Sequence, residues 1–553
     1  MTESETAARD LAERHWEGLL VLDPTMGTWI GDERYDDRLP DPTEAGLAAR
    51  RDFHQGALEE LKRIDRADLD VELRTTLEIL ESASRRELGD IEHRMDRFHA
   101  ATHLFGPSNL LAQLSSVQRA NSPERVEKYA ARLAAFRQYL GGTEEVVAGA
   151  ARAGQTVPSL VADRTIGQVE RLLALAPEDS PGMKPVPEDN PEWRDRIASV
   201  LRQDVWPAYQ GYLDALRAYR PSARDTIGLR DLPDGDAVYA SQILGFTTLA
   251  LEPRKIHDLG REQLAGIQEE RRHIAERLGF ADVESAIAER NASGTNTAGS
   301  REELLRLVED QVRRSWEAAP RFFGRLPNAN CEVRPVERFQ EDDMPGAFYN
   351  SPTADGSRPG VYYLNTGHLE ARLLHQTATT SFHEANPGHH FQLSIEIEFS
   401  DRLPLRRFGG FLVGDSFVEG WGLYSERLAD EMGLFLDDYE RLGMLEAQAF
   451  RAGRLIVDTG IHALGWDRER AVRQMQETGA PRPDAEIEVD RYIAWPGQAL
   501  AYMVGKLEID RWRKEAAERE GKGFSLQAFH DRVLALGSLP LATLDRELRD
   551  SRG

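Results

Sequence analysis

The chain has 553 residues, 41% of them hydrophobic and 29% charged, a balance that belongs to a folded protein with a large core. Its 69 basic and 94 acidic side chains leave a formal charge of -25, which argues against a nucleic-acid partner and against docking on anionic lipid. The single cysteine, Cys331, excludes an intrachain disulfide and a thiolate-built zinc site.

The opening stretch MTESETAARDLAERHWEG has no basic segment followed by an apolar one, so no secretory leader is expected. No apolar run nears the ~20 residues that span a bilayer. The expectation is a soluble, cytoplasmic chain without a membrane partner. Helical patterning then dominates. Between Pro123 and Gly154, the residues Val126, Tyr129, Ala130, Leu133, Phe136 and Leu140 recur at three- and four-residue steps, with charged residues between them. Similar stripes run over 49–88, 166–176, 191–219, 253–278 and 301–323, and again over 405–432, 436–465, 468–477, 499–518 and 525–536. The acidic, proline-rich stretch 178–191 and the stretch 221–235 read as connections.

Cys331 reads as lying in the loop-like stretch Pro327-Asn328-Ala329-Asn330 and as an ordinary thiol. Residues 341–360 read as a long polar loop, and Gly360–Asn365 as a short strand, β-branched and aromatic. That strand, with Tyr363 facing substrate, could pair with an extended peptide or be an ordinary edge strand. The fold class expected is mostly all-α, a large helical zincin-like fold with a deep cleft and a small β-sheet near the chemistry. An N-terminal helical lobe over 1–230 and a C-terminal lobe over 231–553 are expected to form one cleft-bearing unit.

The chemistry concentrates at Thr380–Gln392, where three of the 14 histidines and a glutamate fall within eight positions. Imidazole and carboxylate are zinc ligands when thiolates are absent, and a glutamate beside a ligating histidine is placed to take a proton from water. The spacing departs from HExxH, because the position four after His383 is Pro387. On an unbroken helix His389 falls on the far face and His390 returns to within about 20° of His383. An insertion of two residues before Gly388-His389 instead makes His389 the ligand. The reading leans to His389, with His390 as the alternative and otherwise facing substrate. Glu419 offers the third ligand from the following helix. Glu426, two turns further on, shares its face and could orient a histidine.

Further along, Arg454, Asp458 and His462 recur at four-residue steps. They form either an ion-pair ladder or a face that presents His462 or Arg454 to substrate with Asp458 orienting it. Arg491 could hold a substrate carboxylate. Tyr492 and Tyr502, flanking Trp495-Pro496-Gly497-Gln498, are candidates to donate to a developing oxyanion, or are core aromatics. The glycines 409, 410 and 414 suggest a mobile cover or close packing.

HEANPGHHFQ, FVEGWGLYSE and RYIAWPGQALAYMVGK, with DPTMGTWIGDERYDDRLPD, LPDGDAVYA and SRPGVYYLNT, make the chain resemble, over nearly its full length, the bacterial family catalogued as domain of unknown function 885. That family is similar to helical zinc peptidases of the carboxypeptidase Taq and thimet oligopeptidase types, which share HExGH and a glutamate from the next helix. The resemblance implies His383, His389 and Glu419 as ligands of one zinc ion per chain, and Glu384 as the base. The activity expected is hydrolysis of short peptides, carboxypeptidase-like or oligopeptidase-like. The alternatives are a metal-dependent hydrolase of a non-peptide amide, or a non-catalytic helical protein that binds peptides through a degenerate site.

Overall fold

A helix can bury an apolar stripe only where its ends are satisfied, and residues 122–154 illustrate how this chain arranges that. In the computed structural model, which describes residues 2–550 other than 337, 339, 340, 342–344, 355 and 357, one helix runs Pro123–Ala153. The Ser122 hydroxyl accepts from Arg125 N at 3.3 Å, and Gly154, with φ of 67°, closes the other end. Its buried stripe includes Val126, Tyr129, Leu133, Phe136 and Leu140, each such side chain contributing ~1.5–3 kcal/mol. Arg132 lies on that face, fully buried. Its guanidinium donates to the carbonyls of Tyr35 and Arg38, to Thr28 Oγ1 and to Gln118 Oε1 at 2.7–2.9 Å. A buried cation is tolerable when its donors are satisfied, and this one fastens residues 28–38 to the long helix.

Helix is the dominant structure, as the periodicity predicts, and the departures have local causes. The stripe over 49–88 is two helices, Glu44–Leu61 and Val71–Glu92, because Asp70 caps the second by accepting from Leu73 N at 2.8 Å. The stripe over 191–219 is interrupted by a π-turn at Leu201–Val205. The turn precedes Pro207, whose ring and missing N–H do not suit an unbroken ladder. The stripe over 405–432 breaks into Pro404–Arg407, Gly409–Val413 and Asp415–Glu431. A Cβ on Gly414 would lie 2.5 Å from Gly410 Cα, so the glycines serve close packing here.

The small sheet is present, and its order corrects one expectation. Strands β1 (Cys331–Pro335), β2 (Ala347–Asn350) and β3 (Gly360–Leu364) are ordered β1-β3-β2. β1 lies parallel to β3 with Cys331 opposite Gly360, and β2 lies antiparallel with Tyr349 opposite Tyr362. The strand read as a possible partner for an extended peptide is therefore central, with both edges already paired. β2 occupies part of the expected polar loop, and residues 342–344, 355 and 357 of that loop lie outside the described residues. Tyr362 and Leu364 pack with Leu304, Val308 and Val312 of the helix Arg301–Ala318, and with Ala385. The sheet thus backs the segment that follows His383 and Glu384.

The chain divides into two compact units: Met1–Gln242 with Ile461–Arg468 and Glu486–Pro496, and Ile243–Gly460 with Glu469–Ala485 and Gly497–Gly553. The division at 230/231 assigned 461–468 and 486–496 to the C-terminal lobe, whereas the structure places both with the N-terminal residues. His462 shows why: its Nδ1 accepts from Leu229 N at 3.1 Å and its Nε2 donates to Tyr492 O at 3.0 Å. Among the described residues no helix is long and apolar enough to cross a membrane.

Candidate metal centre

His383 lies in the last turn of the helix Leu374–Glu384, and His389 is the first residue of the helix His389–Glu398. The four residues between the two helices, 385–388, include a cis Asn386–Pro387 peptide. They form a true break, so the rotational argument that favoured His390 has no continuous helix to act on. Gly388 allows the two helix ends to meet: a Cβ there would sit 1.9 Å from His383 O and 2.5 Å from Phe382 O. The two imidazoles end 4.7 Å apart between centroids, at 86° to one another.

The helix Asp415–Glu431 supplies the rest, with each residue of Glu419-Gly420-Trp421-Gly422 taking a separate part. Glu419 Oε2 stands 3.6 Å from His383 Nε2 and 3.5 Å from His389 Nε2. Gly420 lies against Gly505 of the helix Ala501–Glu520, where a Cβ would come within 2.4 Å of backbone. Trp421 Nε1 donates to Pro387 O at 2.9 Å, and Ser425 Oγ donates to the same carbonyl at 3.2 Å. Gly422 leaves room for the His383 ring, whose Cε1 and Nε2 would be 2.8 Å from an added Cβ. Residues 419, 422 and 426 share one helix face. The imidazole lies across Gly422 with a carboxylate at each end, because Glu426 Oε1 accepts from His383 Nδ1 at 2.9 Å. Gln448 Nε2 in turn donates to Glu426 Oε2 at 3.0 Å.

That hydrogen bond places the ring proton on Nδ1 and turns the lone pair of Nε2 toward Glu419 and His389. One donor atom each from His383, His389 and Glu419 lies within 4.8 Å of the others. Nitrogen and oxygen ligands at ~2.0–2.2 Å from a tetrahedral ion are ~3.3–3.6 Å apart along each edge. The two distances to Glu419 match that edge, and two imidazoles with one carboxylate suit zinc. The residues present therefore fit a divalent ion. Electrostatics point the same way. Burial alone would depress His383, but Glu419 and Glu426 outweigh it and carry its pKa up to about 10. Burial would raise Glu419, yet the two histidines hold it well below the ordinary carboxylate range. The pocket favours positive charge between these groups.

Glu384, the last residue of the His383 helix, is half-buried, and no hydrogen bond among the described residues engages its carboxylate. His389 Nδ1 and both amide atoms of Asn386 are buried without a hydrogen-bond partner.

The other predicted residues fall elsewhere. His390 turns away from Glu419: its Nδ1 meets Tyr349 Oη at 2.8 Å and its Nε2 donates to Ala329 O at 3.0 Å. Burial lowers its pKa to about 4, so it serves as a neutral link between helix and sheet. His462 is corrected from a catalytic candidate to a fully buried link between backbone groups, its pKa lowered to about 3 by burial. Asp458 accepts from Gly497 N at 3.1 Å rather than orienting that histidine. Arg454 lies 4.2 Å over the ring of Tyr502, both within the unit that holds the triad. Arg491 and Tyr492 belong to the other unit, where Arg491 pairs with Glu488 at 3.4 Å and the Tyr492 side chain is buried. Tyr363 is half-buried and stacks on Phe348 at 5.0 Å. Burial pushes the Cys331 thiol up to about 12, in keeping with an ordinary thiol, although it opens a strand and not a loop. Trp421, Ser425, Gly422 and Gln448 were not singled out. The paired glycines around Trp421 are the one signal in the sequence that could have marked them.

The family model described as bacterial protein of unknown function (DUF885) matches residues 24–548. A crystal structure of a candidate lipoprotein from Colwellia psychrerythraea superposes with a TM-score of 0.92, at 25% identity over 99% of this chain and 99% of that one. A candidate lipoprotein of unknown function from Shewanella oneidensis superposes with a TM-score of 0.75, at 19% identity over 98% of this chain and 99% of that one, a likeness of fold alone. No curated protein matches the chain.

Proposed function

We propose that this chain, which belongs to the bacterial family of unknown function DUF885, is a zinc-dependent hydrolase of peptide bonds in short peptides. The observation that supports this reading is the convergence of His383, His389 and Glu419, with Glu384 directly beside the first ligand. A divalent ion held by these three residues would polarise a substrate carbonyl and acidify a water molecule. Glu384 would be placed to accept a proton from water on its carboxylate and to return it to the leaving amine. Glu426, backed by Gln448, keeps His383 in the tautomer that offers Nε2. Tyr502, stacked beneath Arg454, is the candidate in the same unit to donate to the developing oxyanion.

The test uses the full chain loaded with zinc, its metal content measured by elemental analysis and its activity read by mass spectrometry on a peptide library. Wild type is expected to hold about one zinc and to cleave. Glu384→Gln is expected to keep the metal and lose cleavage, and Glu419→Ala to lose both. Zinc retained by Glu419→Ala refutes the ligand set. A zinc-loaded wild type that cleaves no peptide refutes the activity while leaving the metal centre standing.

A further inference from the structure

A second candidate site lies wholly within the unit that contains the N-terminal residues. Between the helices Glu44–Leu61, Val71–Glu92, Met95–His99 and Pro123–Ala153 is a cavity of about 190 Å³. Its charged lining consists of Asp41, Glu87, Asp90 and Asp96 against one guanidinium, Arg50. Arg94 neutralises Asp96 at 2.9 Å, and Arg50 reaches Glu87 at 3.3 Å. Among the described residues Asp90 accepts only from the neutral amide of Gln242, at 2.8 Å. Asp41 accepts from Thr43 N at 2.9 Å. Burial lifts the Glu87 carboxyl above its ordinary range in spite of Arg50. With Arg86 also acting on Glu87, the four acids still outnumber the three guanidinium groups of Arg50, Arg86 and Arg94.

Two neutral polar groups complete the lining. Tyr139 is 9% exposed, and its hydroxyl has no hydrogen-bond partner among the described residues. The imidazole of His99 is likewise without a hydrogen bond there and rests edge-on against Phe105. A hydroxyl on a side chain as buried as Tyr139 normally finds a partner, and it faces the same space as the half-buried imidazole of His99. Most of the remaining wall is aliphatic, with Leu47, Ile91 and Val146, and the hydroxyl of Thr143 there donates to Tyr139 O at 2.9 Å. The acids do not gather into a group able to hold a metal ion among the described residues. The volume lies below the ~300–1,000 Å³ of pockets for drug-sized ligands.

We propose that this cavity binds a small aliphatic ammonium ion, an alkylamine or short diamine, its charge on Asp90 and its N–H groups shared with Tyr139 and His99. The carbon chain would lie along the aliphatic wall. The experiment is titration calorimetry of the full wild-type chain with n-butylamine and putrescine, with n-butanol and butyrate as neutral and anionic counterparts. Both amines are expected to bind and both counterparts to be silent. Asp90→Asn should weaken the amines by about tenfold or more, as loss of a charge-assisted hydrogen bond does. Tyr139→Phe, which removes only the unpartnered hydroxyl, should weaken them by a few-fold with an unchanged melting temperature. The proposal is overturned if wild type binds neither amine, if n-butanol binds as well as n-butylamine, or if both variants bind like wild type.

Discussion

Gly422→Ala isolates the geometry of the proposed metal centre from its chemistry, because it replaces none of the ligand residues. The added Cβ would stand 2.8 Å from His383 Cε1 and Nε2, where ordinary contact begins at 3.4 Å. The ring must retreat by about 0.6 Å, several times the ~0.2 Å tolerance of ligand distances in a zinc site. It cannot retreat freely, since Nδ1 is held by Glu426 at 2.9 Å and the residue is buried. Overpacking of this kind costs ~1–3 kcal/mol of stability. The loss of zinc affinity should reach ~10–100-fold, the range seen when groups that orient a ligand are removed. Gly141→Ala is the control: it lies in the long helix with nothing within 4 Å of the new methyl, and should gain ~0.5–1 kcal/mol. Zinc affinity is read by competition against a chromogenic chelator, and stability by urea unfolding in the presence of chelator. Gly422→Ala binding zinc as tightly as wild type would show that His383 does not hold the ion through Nε2.

Glu426→Gln keeps the shape but can leave His383 Nδ1–H facing an amide N–H₂, so zinc should bind ~10–100-fold more weakly; an unchanged affinity in the same competition removes Glu426 from the centre. Gly505→Ala would place a methyl 1.7 Å from Ser416 O, forcing the Ala501–Glu520 helix off the Glu419 helix; the expected loss is ~3 kcal/mol or more with loss of zinc, and a wild-type melting curve refutes the close crossing. His390, His462 and His530 are held neutral by burial, with pKa values of about 4, 3 and 4. The unfolded chain protonates them near ~6.5, so between that value and about 4 it binds more protons than the folded one, and stability falls as pH drops. Urea unfolding at about pH 7 and about pH 5 should differ by on the order of 1–2 kcal/mol per histidine, and a flat profile contradicts the burial of these rings.

The architecture was legible in the sequence wherever a single helix sufficed to express it. The three- and four-residue stripe of 123–154, its Ser-Pro start and its glycine end depend on neighbours along one chain, and the helix observed is Pro123–Ala153. Where the outcome depends on several segments, the pattern underdetermines it. The glycines of the stripe over 405–432 read equally as a mobile cover or as close packing, and only the Gly410–Gly414 contact decides for packing. The Gly360–Leu364 strand reads the same at an edge as in the middle, and only β1 and β2 on either side decide.

The donor types were equally plain: the histidines and glutamates of 383–426 offer nitrogen and oxygen donors of the kind a divalent ion takes, independent of any fold. Which imidazole faces Glu419 was not, because rotational phase is transmitted only through an unbroken helix, and the chain breaks at 385–388. Beyond that break the direction of His389 is set by Gly388 against the preceding helix end and by Trp421 on Pro387 O. His462 shows the same limit from the other side. Its spacing with Arg454 and Asp458 suggested chemistry, yet the backbones of Leu229 and Tyr492, distant in sequence, take both of its nitrogens. Residue identity and helical period are local and belong to the sequence. The partner that each polar atom meets is a long-range fact that arises only when the helices pack.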